Sequence, residues 1–364
     1  MEIQNLNKID VLFLSFLGKN YSRSSTILNV DSLALNKQYL ELPIGIFRWI
    51  RAIYRNRHYF RQFDCLVVMS PCHILSAPLK IVSRKPLILD AGWSLTDGHI
   101  SRKPKLTQIL KLPVIYLIDL VSLHFSDIVL LESKAQTKRI NRLFALNKSK
   151  LRVQFTGLNE SNFTSNELPS RLILGIRKRI QDIGFPVVVL FRGKINRESG
   201  FENLLSAARI LKDSVAFVFV VGKNDEVLEC PKNAIVVSDI TDKELMDIYK
   251  LSDISIGQIS NHRRLRYTIP HKAFEAGFFS MPFITADSAG VREYLGQDSA
   301  LFLSDPSPES LAESIKNLSD KSSLRALSKK INVNHKKIAS QQLLVTNFEH
   351  IVLDLYETRP HRPV

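Results

Sequence analysis

The chain alternates two kinds of segment. Short runs nearly continuous in Val, Ile, Leu and Phe are separated by longer stretches whose apolar residues recur at helical spacing. IDVLFLSF (9–16), DCLVVMS (64–70), PLILDA (86–91), DIVLLES (127–133) and LRVQFTG (151–157) are of the first kind. A strand apolar on both faces belongs in a parallel sheet covered by helices, so these runs predict buried parallel strands. Helices are expected between them, at roughly 43–62, 105–125 and 134–144, which makes a βαβ rhythm.

The polar, turn-rich stretch LNESNFTSNELPSRLILG (158–175), with Pro169, interrupts that rhythm and reads as an interdomain linker. A second series follows. Its strands are PVVVLFRG (186–193), AFVFVVG (216–222), AIVVSDI (234–240), ISIGQIS (254–260) and PFITAD (282–287). Helices are expected at about 200–212, 242–251, 270–279, 308–318 and 321–337, and LLVTNFEHIVLDLYE (343–357) is a closing amphipathic helix. The prediction is an α/β chain of two Rossmann-like, doubly wound domains, 1–165 and 166–342. Its 364 residues are ample for two cores. Ligands of such sheets sit beyond the C-terminal strand ends, and two sheets facing a central cleft would place them there.

Charge sharpens the picture because it is uneven. Residues 1–150 hold 22 Lys and Arg against 10 Asp and Glu, so this part carries +12 of the net +15. A basic half fits an anionic partner, although a charged face that merely aids solubility gives the same count. The segment IGIFRWIRAIYRNRHYFRQF (44–63) concentrates the pattern, with five arginines among ten large apolar or aromatic residues. It reads either as a helix lying in an anionic bilayer interface or as a helix packed on the sheet with snorkelling arginines. No nucleic-acid module is recognisable. LPVIYLIDLVSLHF (112–125) is read as too short to span a bilayer, and it contains Asp119 and His124. The N-terminal MEIQNLNKIDVLFLSF lacks a signal-peptide pattern. Cys65, Cys72 and Cys230 have no metal-binding spacing, and so sparse a set suits a reducing cytoplasm.

The candidate chemistry lies at the strand ends of the second half. In FRGKINRESGFENLL (191–205), Gly193 frees the backbone to turn, and Arg192, Lys194 and Arg197 bring cations that suit a diphosphate. An exposed basic loop is the alternative. In PHKAFEAGFFSMPFIT (270–285), Pro270 suits a first helical position, and Lys272 and Glu275 share one face at i,i+3. A helix N-terminus with a lysine favours phosphate, and a carboxylate one turn deeper suits sugar hydroxyls. A plain Lys–Glu pair is the alternative, but the apolar flanks imply burial, where a charge needs a partner.

These motifs in this order resemble the nucleotide-sugar domain of the family 4 glycosyltransferases, retaining enzymes of the GT-B fold (glycosyl transferases group 1). The resemblance runs from about 185 to 300, through GKI, ESGFENLL, the strand ending VVG, ELMDIYKLSDISI and PHKAFEAGFFSMPFITADSAGVREYL. FTGLNESNF (155–163) resembles the family's segment before the linker. The resemblance implies a nucleoside-diphosphate sugar donor gripped by Lys194 and Lys272, with Glu275 on the nucleotide ribose as the second glutamate of an E-x7-E motif. It further implies metal-independent transfer with no cofactor, a glycan or lipid-linked acceptor bound by the first domain, and a last segment, 343–364, that crosses back to that domain. A cytoplasmic protein, peripheral on the inner face of the membrane, follows from that role.

The sequence departs from the pattern in four places. Tyr267 stands where the first glutamate of E-x7-E would fall. Ser199 replaces a second phosphate-binding lysine, a role that Arg197 or Arg192 could fill. The glycine-rich turn after the first strand is reduced to Gly18. Asp90, in LILDAGWS, occupies the place of the family's catalytic-region histidine, and His73, in MSPCHIL, is the other polar residue at a strand end. Asp90 and His73 are therefore the catalytic candidates, each with a purely structural alternative. The rival functions are a non-catalytic nucleotide-sugar-binding scaffold and a nucleotide-sugar epimerase, although no acid–base carboxylate pair stands out for the latter.

Overall fold

The computed structural model describes residues 8–19, 22–102, 106–164, 168–227 and 229–358. Residues 1–7 of the N-terminal stretch, 165–167 of the expected linker and 359–364 of the expected last segment lie outside them. The chain divides into two compact units, Met1–Gly157 with Gln341–Val364, and Leu158–Ser340.

Unit 1 is built on a six-stranded parallel sheet of β1 (Ile9–Ser15), β2 (Leu35–Glu41), β3 (Cys65–Met69), β4 (Leu87–Gly92), β5 (Ile128–Leu131) and β6 (Leu151–Val153), in the order β2-β1-β3-β4-β5-β6. The apolar runs became its central strands because such strands can be solvated on neither face. β2 escapes that pattern. It is an edge strand paired only with β1, so LNKQYLE alternates buried and accessible positions and keeps Lys37 and Glu41.

Two helical layers cover the sheet. On one face Phe348, Ile351 and Val352 of the last helix, Gln341–Glu357, pack with Ile27 against Val11, Phe13 and Val67. On the other, Trp49 and Ile53 of helix Ile46–Arg55, Leu79 of helix Ser76–Ser83 and Leu123 of helix Leu112–Phe125 pack against Leu12, Leu66 and Leu89. The helix expected over 43–62 is two pieces, Ile46–Arg55 and Arg57–Phe60, broken at Asn56.

Unit 2 repeats the plan with β7 (Val188–Arg192), β8 (Ala216–Val221), β9 (Ala234–Ser238), β10 (Ile254–Ile256), β11 (Phe283–Ala286) and β12 (Leu301–Leu303), all parallel, in the order β12-β11-β10-β7-β8-β9. The helix Arg171–Ile183 starts inside the expected linker, where the Ser170 hydroxyl accepts from the Ile173 amide and caps its first turn. In both sheets the order reverses beside the first strand, β1 or β7, where doubly wound sheets open a crevice.

Candidate donor site

The site begins at the ends of β7 and β10. β7 delivers Arg192 as its last residue, followed by Gly193 and Lys194. Gly193 has φ +150, and a Cβ built there would lie 3.6 Å from the Lys272 ammonium. Any side chain would be strained there, with its Cβ in ordinary contact with that cation. Gly200, with φ +68, opens helix Phe201–Ile210 and lies so close to Ile259 that a Cβ would fall 2.0 Å from its carbonyl oxygen. Gly200 thus holds the β7 loop tight against the segment after β10, where the Ile259 amide also donates to the Ser199 carbonyl.

The helix His271–Phe278 is the centre of the site. Pro270 is its N-cap, in extended conformation (ψ 139), rather than its first helical residue. The first turn faces inward, and both Lys272 and Glu275 are buried. Each finds its own partners. The Lys272 ammonium donates to the Gly257 carbonyl at 3.0 Å and sits over the Phe191 ring, 4.1 Å from its centroid. Glu275 accepts from the Tyr249 hydroxyl at 2.9 Å, lies 3.1 Å from His271 Nδ1, and pairs with the Arg192 guanidinium at 3.4 Å.

This arrangement sets the protonation states. Burial pushes the Lys272 ammonium down to about 7; the nearby Arg192 charge acts the same way and Glu275 opposes it. Burial works to raise the Glu275 carboxyl, but Arg192 and the hydrogen bonds from His271 and Tyr249 outweigh it and hold it at about 2. Glu275 in turn raises Arg192 above the ordinary arginine value. The carboxylate is thus permanently charged at neutral pH, whereas the lysine stands at its midpoint and will respond to an arriving anion.

Two cavities open beside this cluster, both beyond C-terminal strand ends. One, of about 320 Å³, is lined by Arg192, Gly193, Lys194, Gly222, Thr241 and Asp242, among others. The second, of about 310 Å³, is lined by residues that include Ser260, Arg266, Pro270, Thr285 and Ser288. Lys272 and Glu275 line neither. Gly193 and Arg192, which line the first, lie against Lys272 and Glu275, and Pro270, the N-cap of their helix, lines the second. A bound diphosphate could meet the amides of the helix start, and groups at either end could occupy the two cavities.

The expected residues are distributed unevenly. Arg192, Gly193, Lys194, Lys272 and Glu275 converge. Arg197 is exposed and lines neither cavity, and Ser199 is buried, its amide and hydroxyl bonded to Asn196. Gly18 follows β1 in unit 1 and is exposed. Asp90, at the end of β4, is 1% exposed and accepts from Arg23 Nε at 2.6 Å. Arg23 also donates to Thr156 at 2.7 Å and pairs with Glu132 at 3.4 Å. Asp90 is therefore half of a buried ion pair, which corrects its reading as a group open to substrate. His73 is fully buried, with Nε2 3.2 Å from the Trp93 carbonyl, and burial lowers its basicity. Sequence reasoning missed Tyr249 and His271. Their one signal was position, since both lie in motifs flanking Glu275. Among the described residues no group of three or more His, Cys, Asp or Glu side chains is placed to hold a metal ion.

Residues 176–337 match the model of the glycosyl transferases group 1. This segment is similar to a group 1 glycosyltransferase domain. It holds every residue of the convergent cluster. Among solved structures, HepE of Anabaena in complex with UDP-glucose is similar over 95% of this chain and all of its own, at 11% identity and TM-score 0.70. A glycosyltransferase from Rickettsia africae is similar over 97% of this chain and all of its own, at 12% identity and TM-score 0.67. A putative UDP-N-acetylglucosamine 2-epimerase from Listeria monocytogenes is similar over 98% of both chains, at 10% identity and TM-score 0.62. The fold is that of the GT-B glycosyltransferases. At these identities structural likeness speaks for the fold alone, since an epimerase shares it, and the group 1 match is what separates the two. No curated protein sequence matches the chain.

Proposed function

We propose that this group 1 domain binds a nucleoside-diphosphate sugar and that the chain transfers the sugar, with retention and without a metal, to a polysaccharide or lipid-linked acceptor held by unit 1. Within group 1 this is the chemistry of the family 4-like enzymes. The observation that carries the reading is the pair of buried charges Lys272 and Glu275, with Arg192 joining Glu275 to one of two cavities at the strand ends of the matched segment. HepE was solved with UDP-glucose, so UDP-sugars are the first donors to try.

In this reading Lys272, Lys194 and the start of helix His271–Phe278 stabilise the charge that develops on the departing diphosphate. Lys272 becomes fully charged as the anion arrives. Glu275, already ionised and oriented by Tyr249 and His271, takes the ribose hydroxyls, with Arg192 as its counter-ion. The acceptor hydroxyl attacks from the face the diphosphate leaves. Because Asp90 and His73 are both withdrawn from solvent, the driving stabilisation is assigned to the donor side.

The test is thermal stability of the purified protein against UDP-, GDP-, ADP- and CMP-sugars, beside Lys272→Ala and Glu275→Ala. A ligand that binds only the folded form raises the melting temperature. A shift with one nucleotide series, lost in both variants, is expected; no shift with any of them overturns the donor site. Transfer with that donor, run with and without EDTA and with the product anomer read by NMR, then tests retention and metal independence. A second reading, a non-catalytic donor-binding scaffold, is favoured by Tyr267 at the missing glutamate position and by the occupation of Asp90. Donor binding with neither transfer nor hydrolysis would select it.

A further inference from the structure

We propose that unit 1 docks on an anionic lipid bilayer through the outer face of one helical layer, and that this face is wider than the basic segment 44–63. The layer is formed by helices Ile46–Arg55, Ser76–Ser83 and Leu112–Phe125, which pack side by side with the second in the middle. All three turn their buried residues into one core cluster on one face of the sheet, so their exposed residues point away from it. Those exposed residues are large and apolar. Phe47 is 87% exposed and Leu110, just before the third helix, 79%; Ile46, Ile50, Tyr54, Ile81, Val114 and Leu117 are exposed as well. Folded soluble surfaces do not gather so many large apolar side chains on neighbouring elements without an occupant.

The charge on this face identifies the occupant. At 100° per residue, Ile46, Phe47, Ile50 and Tyr54 fall along one flank of the first helix, and Arg48, Arg51 and Arg55 along the next. The only carboxylate in the three helices is Asp119, and it is buried. It accepts from the Ser94 hydroxyl and the Leu95 and Thr96 amides, capping the start of helix Leu95–Ser101. The one acid of the most apolar helix is thus spent inward, and the outer face keeps cations and apolar groups alone. A second copy of this chain would bring arginines and no exposed carboxylate from these helices. An anionic bilayer supplies what the face lacks, with phosphates for the guanidinium groups and acyl chains for Phe47 and Leu117.

By length and composition Thr107–Phe125 could cross a bilayer. Its inner side argues for lying on one, because Leu123 belongs to the core cluster and Asp119 caps a neighbouring helix. Crossing would strip both from unit 1.

The inference stands on unit 1 alone. The experiment is co-sedimentation of the full chain with vesicles of phosphatidylcholine, or of phosphatidylcholine with about one third phosphatidylglycerol, at low and high salt. We expect at least tenfold more protein bound to the anionic vesicles, with the excess reduced by salt. Arg48→Glu/Arg51→Glu/Arg55→Glu and Phe47→Asp/Leu117→Asp should each lose that binding, while Leu168→Asp, an 88% exposed site in unit 2, should keep it. Equal binding to both vesicle types, binding to neither, or binding retained in both face variants would overturn the proposal. So would a dimer in solution that Phe47→Asp/Leu117→Asp dissociates. The melting shift with UDP-glucose, read without lipid on the same variants, reports the donor site separately and should not change.

Discussion

Each unit buries a cluster of charges, and the two clusters differ in one respect. In unit 1, Arg23 is 4% exposed and sits among Asp90, Glu132, Thr156 and the Gln154 carbonyl. Thr156 donates onward to Glu132 at 2.6 Å, so the contacts of the guanidinium stay within these buried residues, although Asp90 Oδ2 keeps no hydrogen-bond partner among the described residues. In unit 2, Glu275 is just as buried, but the Arg192 side chain that pairs with it is 38% exposed and lines a cavity. Among the described residues no carboxylate forms an ion pair with Lys272, which rests on a carbonyl and an aromatic face. A closed cluster answers its own charges and specifies packing. An open one leaves charge available to a ligand, at a cost to the apo protein.

Substitutions should therefore separate stability from binding in opposite ways. The largest effect is expected from Arg23→Met, which leaves two buried carboxylates facing each other. It should cost about 3–5 kcal/mol in denaturant unfolding and leave the UDP-glucose melting shift of the folded fraction intact. Loss of that shift with stability preserved would erase the distinction between the clusters. Glu275→Gln should do both kinds of damage, losing about 2 kcal/mol of stability through Arg192, His271 and Tyr249 and at least tenfold in donor affinity. Because its folded pKa lies near 2, the contribution of Glu275 is full above its ordinary value of 4.5 and is lost as pH falls toward 2.

Lys272→Met sharpens the comparison most. The native lysine titrates near 7 against an ordinary 10.5, so the native state binds fewer protons than the unfolded state between those values. Wild-type stability should then rise with pH across that window, and the variant should lose the rise. At pH 6 the variant should be roughly 1 kcal/mol more stable than wild type, having no ammonium to bury, yet give no donor shift. A variant that is both less stable and still binds would reverse the assignment. The same titration predicts that UDP-glucose binding at pH 8 takes up close to one proton and at pH 6 almost none, measurable calorimetrically in buffers of different ionisation enthalpy. The smallest effect is assigned to Arg197→Ala. Exposed and outside both cavities, it should change donor affinity by less than about threefold, or ~0.7 kcal/mol.

The sequence by itself determined the architecture wherever burial is two-sided. VVLFR, AFVFVV and CLVVM can be nothing but central strands, and their spacing with amphipathic helices makes the parallel α/β plan legible. It also determined that Lys272 and Glu275 share one face of a helix sunk in apolar surroundings. The tertiary structure decided the rest. β2 was hidden because an edge strand has one neighbour and tolerates polar positions. Asp90 looked like a strand-end catalyst until Arg23, 67 residues away in sequence, came to lie against it. Asp119 counted only against a membrane span until the fold aimed it at the amides of another helix. The partners of Glu275 come from three separate elements, β7, the helix Asp242–Lys250 and its own helix. Hydrophobic periodicity is local and can be read along the chain. The partner of a buried charge is set by which distant segments the fold brings within about 3 Å, and no local pattern encodes that distance.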